Sequence, residues 1–160
     1  MVRNTHAFRA INWGFARVSL DYTGKKDTLL FVEKIALIVS DGADSTRKMA
    51  EAIALSLDSP WKTVVMPGEN FDVTQLLAAA ACFLGAESPN PPCFSRLCNV
   101  LAHINLAGRP WGIFSSSEET AAYLRGILHD SEAALYPDTF FGEGDVKAWT
   151  EKVLAEAPKS

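Results

Sequence analysis

The stretch from Lys34 to Leu57 constrains the fold of this chain more than any other. It opens with five consecutive apolar residues, Ile35 to Val39, and a run this short and uninterrupted is typical of a parallel strand buried on both faces. After a polar loop, apolar residues return at the helical spacing of Met49, Ile53 and Leu57. The sequence therefore predicts a strand, a short loop and the beginning of a helix.

The polar loop, residues 40 to 46, supports two interpretations. A loop between a parallel strand and a helix points backbone N–H groups and the positive end of the helix dipole above the sheet edge, where they favour an anion. The same residues also fit a plain turn in which Asp44 or Ser45 caps the helix. Both interpretations stay open on the sequence alone.

The same unit of short apolar run and helical spacing recurs along the chain. Further strands are predicted over 61–66, 80–84, 111–114 and a fifth that covers 133–136 and 139–141 and is interrupted by Pro137. Further helices are predicted over 72–77, over 94–104 and over 146–154, and Gly108 ends the second of these. Another helix is predicted to begin at a capping box formed by Ser116 and Glu119. Five strands alternating with five helices predict an α/β fold with a doubly wound parallel sheet.

Residues 1–31 do not follow this alternation, and we predict them to be a short N-terminal extension to one domain over 32–160. Val18, Leu20 and Tyr22 alternate like a strand, residues 23–27 resemble a turn, and 28–32 could return as the second arm of a hairpin. The alternatives are a poorly ordered segment and an upstream extension outside the native protein, because a domain could open directly on the strand after Val32.

Composition excludes several classes of protein. With 160 residues, of which 48% are apolar, the chain can build one normal core. A net charge of −4, with no gathered basic patch, argues against nucleic acid and anionic membranes as partners. Three cysteines without a C-x-x-C pair and three scattered histidines indicate neither a disulfide framework nor a metal cluster. Together with the lack of an apolar run of about 20 residues, this predicts a cytoplasmic protein with reduced thiols.

The loops at the carboxyl ends of the strands are the predicted ligand site, because open α/β sheets bind ligands there. The relevant loops are 40–46, 85–92 and 114–118, and all three are rich in hydroxyl-bearing or small residues. Hydroxyls and backbone amides from two helix N-termini could hold a phosphate without a lysine. We therefore expect the three loops to converge on one anionic ligand.

Residues 32–157 resemble the flavodoxin family. The segment IALIVSDGADSTRKMAEAIA, residues 35–54, is similar to the family's first strand, phosphate loop and first helix. The resemblance implies a three-layer fold with strand order 2-1-3-4-5, FMN at the strand ends, and electron transfer with a redox partner protein. The family's phosphate loop reads [ST]-x-T-G-x-T; Thr46 matches its last threonine, with Ser45 before it, and Ser40 matches its first hydroxyl if one residue is inserted.

The same resemblance implies the site residues. The implied phosphate-binding residues are Ser40, Gly42, Ser45 and Thr46, and the implied flavin-lining residues are Glu87, Ser88, Ser115, Ser116 and Ser117. It implies no catalytic residues, since such a protein mainly tunes the cofactor's potential.

Departures from the family pattern keep a second function open. Ala43 and Asp44 stand in place of threonine and glycine, and Asp41 puts another negative charge beside the phosphate position, which Arg47 offsets in part. The alternative is therefore a flavodoxin-fold domain that has lost FMN and serves as a binding or interaction module. A phospho-receiver domain fits worse, because no aspartate ends the third strand and no lysine lies near Phe140. The dinucleotide and P-loop glycine motifs are absent from the sequence.

Overall fold

The computed structural model describes residues 33–155, together with the backbone of 11–13 and 16–18. The two short N-terminal segments are antiparallel strands, β1 (Ile11–Trp13) and β2 (Ala16–Val18). The hairpin that we predict over 18–32 lies outside the described residues except for Val18, which ends β2. The division into an extension and a domain stays a prediction.

The main sheet has five parallel strands in the predicted order. Its members are β3 (Lys34–Ser40), β4 (Trp61–Pro67), β5 (Ala81–Ala86), β6 (Pro110–Ser115) and β7 (Ala134–Leu135). They lie in the order β4-β3-β5-β6-β7. Counted from β3, this is 2-1-3-4-5, so the fold class expected from the flavodoxin resemblance is confirmed.

Within residues 33–155, five α-helices cover both faces of the sheet and complete three layers. They are α1 (Asp44–Ser56), α2 (Val73–Ala78), α3 (Ser95–Leu101), α4 (Glu118–Leu128) and α5 (Val146–Ala155). Successive strand residues point to opposite faces, so Leu37 and Val39 pack with α2, α3 and α4, whereas Ala36 and Ile38 pack with α1 and α5. Both sets are buried, which is why the centre of β3, from Ile35 to Val39, is continuously apolar. Among the described helices, none has the length and apolarity that crossing a membrane requires.

Two helix caps differ from the sequence prediction. The N-cap of α1 is Ala43, which makes no side-chain capping bond, so neither Asp44 nor Ser45 caps this helix. The N-cap of α4 is Ser117, whose Oγ accepts a hydrogen bond from the Thr120 amide at 3.3 Å, so the predicted capping box starting at Ser116 is off by one residue. Ser116 is free of the cap because its side chain reaches the neighbouring loop.

Two elements in the second half are shorter than predicted. Helix α3 ends at Leu101 and does not continue through Ile104, since the chain then joins an isolated bridge between Ala107 and Ala133. Strand β7 has only two residues, and the chain rejoins the sheet through a single bridge at Phe140. Pro137 lies between these two pairings and has no N–H to give to a ladder, which explains the interruption.

Two strands run further toward the carboxyl edge than predicted. Strand β5 extends to Ala86 and β6 to Ser115, so Gly85 belongs to a strand rather than a loop. A Cβ at Gly85 would lie 2.0 Å from the ring of Phe114 on β6, and only glycine leaves room for that ring. The loops above the sheet are correspondingly shorter.

Candidate functional site

Three loops meet above the carboxyl ends of β3, β5 and β6. The Asp41 amide donates to the Gly85 carbonyl at 3.2 Å, which joins the first loop to β5. The Ser116 hydroxyl donates to the Glu87 carbonyl at 2.9 Å, which joins the third loop to the second. We call the surface formed by residues 41–45, 87–91 and 116–117 the rim.

The carboxylate of Asp41 lies at the centre of the rim. Its Oδ1 accepts hydrogen bonds from the Ala43 amide at 3.2 Å and from the Thr46 hydroxyl. Its Oδ2 accepts from the Glu87 amide at 2.7 Å. Hydrogen bonds to an ionised acceptor are shorter and stronger than neutral ones, and the donors come from two loops. Asp41 therefore fastens the loop after β3 to the loop after β5.

The implied phosphate-binding residues all lie in or beside the first loop, but their polar groups bind the protein itself. Ser40 is buried at the end of β3, and its Oγ accepts from the Gly42 amide at 3.3 Å. Gly42 adopts a φ of +80°, a left-handed conformation that favours glycine. The Ser45 hydroxyl donates to Glu87 Oε1 at 3.1 Å, and Thr46 is fully buried beneath Asp41.

The implied flavin-lining residues are divided between the interior and the surface. Ser115 is fully buried, and its hydroxyl donates to a β5 carbonyl at 3.0 Å. Ser116 binds the neighbouring loop and Ser117 caps α4, so both hydroxyls have structural partners. Glu87 and Ser88 are exposed on the rim. The structure thus brings these residues to one edge without leaving their hydroxyls directed at a common point.

Aromatic side chains near the strand ends are mostly withdrawn from the surface. Phe94, Trp111 and Phe114 are buried, and Tyr123 is half-buried in α4, where burial and the nearby Cys98 thiol raise the pKa of its hydroxyl. Phe141, 38% exposed, is the large exposed aromatic among the described residues, and it follows β7. The described loops after β5 and β6 therefore offer no aromatic face for stacking a flavin ring.

The charge at this end of the sheet is strongly negative. The acidic residues of the loops after β3 to β6 and of the helical turns that follow are Asp41, Asp44, Glu69, Asp72, Glu87, Glu118 and Glu119, and the basic residues are Arg47 and Arg96. Arg47 forms an exposed ion pair with Asp44 at 2.9 Å. Because the pair neutralises itself, it contributes little positive potential to the rim.

A phosphate dianion does not fit this loop as it stands. The amides of Ala43 and Glu87 and the hydroxyl of Thr46, donors that a phosphate could use, converge on the Asp41 carboxylate. A phosphate placed there would meet a like charge, and Arg47 in the first turn of the same helix is already paired with Asp44. The residues present therefore fit an internal anion, and they do not fit the phosphate of FMN.

The sequence did not reveal two central features of the rim. One is the role of Asp41 as an acceptor, and the other is the Glu87 backbone, whose carbonyl also accepts from the Thr120 hydroxyl at 3.3 Å. A local signal existed for the role of Asp41. An aspartate can accept a hydrogen bond from the amide two residues on, here Ala43, and the intervening Gly42 favours such a turn. No local signal exists for the second, because its partners Ser116 and Thr120 are 29 and 33 residues away.

A separate cavity of about 180 Å³ lies at the opposite end of the sheet. It is lined by the end of α1, the start of β4 and α5, including Trp61, Lys147 and Thr150. Lys147 forms an exposed ion pair with Asp58 at its edge, 2.9 Å long. This cavity is remote from the three loops and does not belong to the rim.

Several solved structures with the same fold are flavodoxins. The chain is similar to a short-chain flavodoxin associated with a non-canonical PDU bacterial microcompartment, with a TM-score of 0.67 and 14% identity over 78% of this chain and 99% of that one. It is also similar to a Streptococcus pneumoniae TIGR4 flavodoxin, with a TM-score of 0.63 and 15% identity over 76% of this chain and 98% of that one. A third similar structure is oxidised flavodoxin 2 from Bacillus cereus, with a TM-score of 0.64 and 20% identity over 77% of this chain and 99% of that one. No protein-family profile and no curated protein matches the sequence. The likeness establishes a flavodoxin-like fold.

Proposed function

We propose that this chain is a flavodoxin-fold binding module that works without FMN. The observation that carries the proposal is the Asp41 carboxylate, which takes donors from Ala43, Thr46 and Glu87 in the loop where FMN phosphate would lie. The rim that these bonds hold together is the proposed binding surface.

The electrostatic cost of adding a phosphate supports this proposal. Two unit charges 4 Å apart interact by about 4 kcal/mol at the effective dielectric of a protein surface, and a dianion beside Asp41 would feel repulsion of that order before salt screening. Since each 1.4 kcal/mol is about a tenfold change in affinity, phosphate binding would be weakened by orders of magnitude. Arg47 does not offset this repulsion, because its charge is already paired with Asp44.

The charge of the rim indicates the partner. Seven carboxylates face two guanidinium groups in the loops and first helical turns at this edge, so a basic protein surface is the complementary partner. Such an association would be fast at low salt and would weaken as ionic strength rises, since exposed charges are screened within a Debye length of about 8 Å at physiological salt.

An FMN-binding electron carrier with a redox partner protein is the second candidate, and the likeness to solved flavodoxins favours it. In that case Ser40, Gly42, Ser45 and Thr46 would hold the phosphate, and the bound flavin would supply one-electron chemistry. Asp41 would have to leave its present partners, and Ser45 would have to release Glu87. The first proposal needs neither rearrangement.

Titration with FMN separates the two candidates. The purified chain is equilibrated with FMN, and binding is followed by quenching of flavin fluorescence and by visible absorbance retained after gel filtration. We expect no retained colour and no saturable quenching up to about 100 µM FMN, two decades above a micromolar site. A stoichiometric yellow complex would overturn the binding-module proposal and support the electron carrier.

A further inference from the structure

Two backbone amides and one hydroxyl surround the Asp41 side chain, which is a set of donors typical of an anion site. The anion that they bind is the carboxylate of Asp41 itself. We propose that Asp41 is an intramolecular anion that keeps the rim closed to external phosphate groups. The inference deepens the proposed function, on whose rim it rests, by assigning the group that excludes phosphate.

Ordinary turn chemistry explains only one of the three bonds to this carboxylate. An aspartate commonly accepts a hydrogen bond from the amide two residues on, and Ala43 supplies that bond. The Thr46 hydroxyl lies five residues on, and the Glu87 amide lies 46 residues away on another loop. Both carboxylate oxygens are therefore used, and one bond joins two separate elements of the fold.

The Thr46 side of this contact is shielded from water, whereas the bond to the Glu87 amide is exposed. Thr46 is fully buried, and its hydroxyl also donates to the Ala43 carbonyl at 3.0 Å. The Asp41 side chain lies directly above it, and the backbone of Asp41 is pinned to β5 by the bond from its amide to Gly85. An external anion can reach the same donors only if this carboxylate is displaced or removed.

The test removes the carboxylate and measures binding of inorganic phosphate. Asp41→Ser frees the donors and deletes one negative charge. Glu118→Ser is the matched control, because it deletes one negative charge from an exposed side chain in the first turn of α4 that makes no hydrogen bond or ion pair among the contacts described. Binding is measured by isothermal titration calorimetry at constant ionic strength.

We expect the apparent Kd for phosphate to fall at least about tenfold in Asp41→Ser relative to wild type, and less than about threefold in Glu118→Ser, since only the first change frees donors that now bind a carboxylate. Equal phosphate affinity in wild type and Asp41→Ser would overturn the inference. Equal gains in both variants would also overturn it, because the effect would then be net charge alone.

A second variant covers the case in which Asp41→Ser does not fold. Asp41→Asn keeps an oxygen for Ala43 and Thr46 but replaces the acceptor of the Glu87 amide. We expect hydrogen exchange at the Glu87 amide to be at least about tenfold faster in Asp41→Asn than in wild type, because the amide loses a charged acceptor. Unchanged exchange would show that the carboxylate does not hold the second loop, and the inference would fail.

Comparing FMN with riboflavin in the wild-type chain separates the two proposals. Equal binding of both flavins would refute the FMN-free module and leave the Asp41 inference standing, because the phosphate would contribute nothing. FMN binding at least about tenfold tighter than riboflavin would overturn both. Binding of neither flavin supports both.

Discussion

Replacing Gly85 by alanine tests how tightly the strands beneath the rim are packed. A Cβ at this position would lie 2.0 Å from Cε2 and 2.3 Å from Cδ2 of Phe114, whereas ordinary contact begins at 3.4 Å. The ring would have to move by more than an ångström, but it is fully buried and pairs directly across from Gly85 on β6. Overpacking a rigid core costs about 1–3 kcal/mol of stability, and a clash with a buried ring is at the upper end of that range. We therefore expect Gly85→Ala to lower the free energy of unfolding by about 2–3 kcal/mol.

Equilibrium urea unfolding of Gly85→Ala should show this loss as a lower midpoint with an unchanged slope. For a chain of this size the corresponding fall in Tm is about 4–12 °C. Gly126→Ala is the matched control, since Gly126 lies in α4 with nothing within 4 Å of the added Cβ. The same substitution there should stabilise the protein by about 0.5–1 kcal/mol, because alanine is the better helix former.

A double-mutant cycle assigns the loss to the ring. Phe114→Leu alone should cost about 1–2 kcal/mol through lost packing, and it should relieve the clash in Gly85→Ala. The loss of stability in the double variant should then be smaller than the sum of the two single losses by at least about 1 kcal/mol. Additive losses, or a Gly85→Ala variant within about 0.5 kcal/mol of wild type, would refute the packing argument.

Three further predictions concern single groups. Thr46→Val should lower the free energy of unfolding by about 1–3 kcal/mol in urea titrations, because it removes a buried hydroxyl that donates to the Asp41 carboxylate; wild-type stability would contradict the assigned bond. Cys82 is fully buried and desolvation raises the pKa of its thiol, so it should resist alkylation at pH 8 until the chain unfolds; labelling of the native protein at this residue, read by mass spectrometry, would contradict its burial. Hydrogen bonds from the Thr74 amide and hydroxyl lower the pKa of Asp72 from 3.8, so its stabilisation of α2 is present above pH 3.8 and is lost as the pH falls through the lower folded value; an NMR titration giving a pKa at or above 3.8 would refute it.

The predicted strands and helices are confirmed most closely where the pattern is local and strong. Strands β3 and β4 start at or next to their predicted positions, since an apolar run between turn residues defines them without help from neighbours. The parallel order followed from the family resemblance, and the described sheet has that order. The apolar-run signal is weaker near Pro137, where the last strand is reduced to two residues and one bridge.

Element ends were less predictable because distant contacts determine them. Ser116 was expected to cap α4, but its hydroxyl is taken by the Glu87 carbonyl on another loop, and Ser117 caps the helix instead. Strand β5 was expected to stop before Gly85, but pairing with β6 carries it two residues further. In both cases the deciding partner lies far away in the sequence.

The sequence by itself determined that this chain alternates strands and helices, that the first strand of the main sheet is buried on both faces, and that Asp41 follows this strand, because these features depend on residues within one or two turns of each other. It also identified Asp41 as a charge unfavourable to phosphate. Only the tertiary structure decided that this carboxylate binds the loop donors itself. Its bond to the Glu87 amide spans 46 residues and forms because β5 lies beside β3.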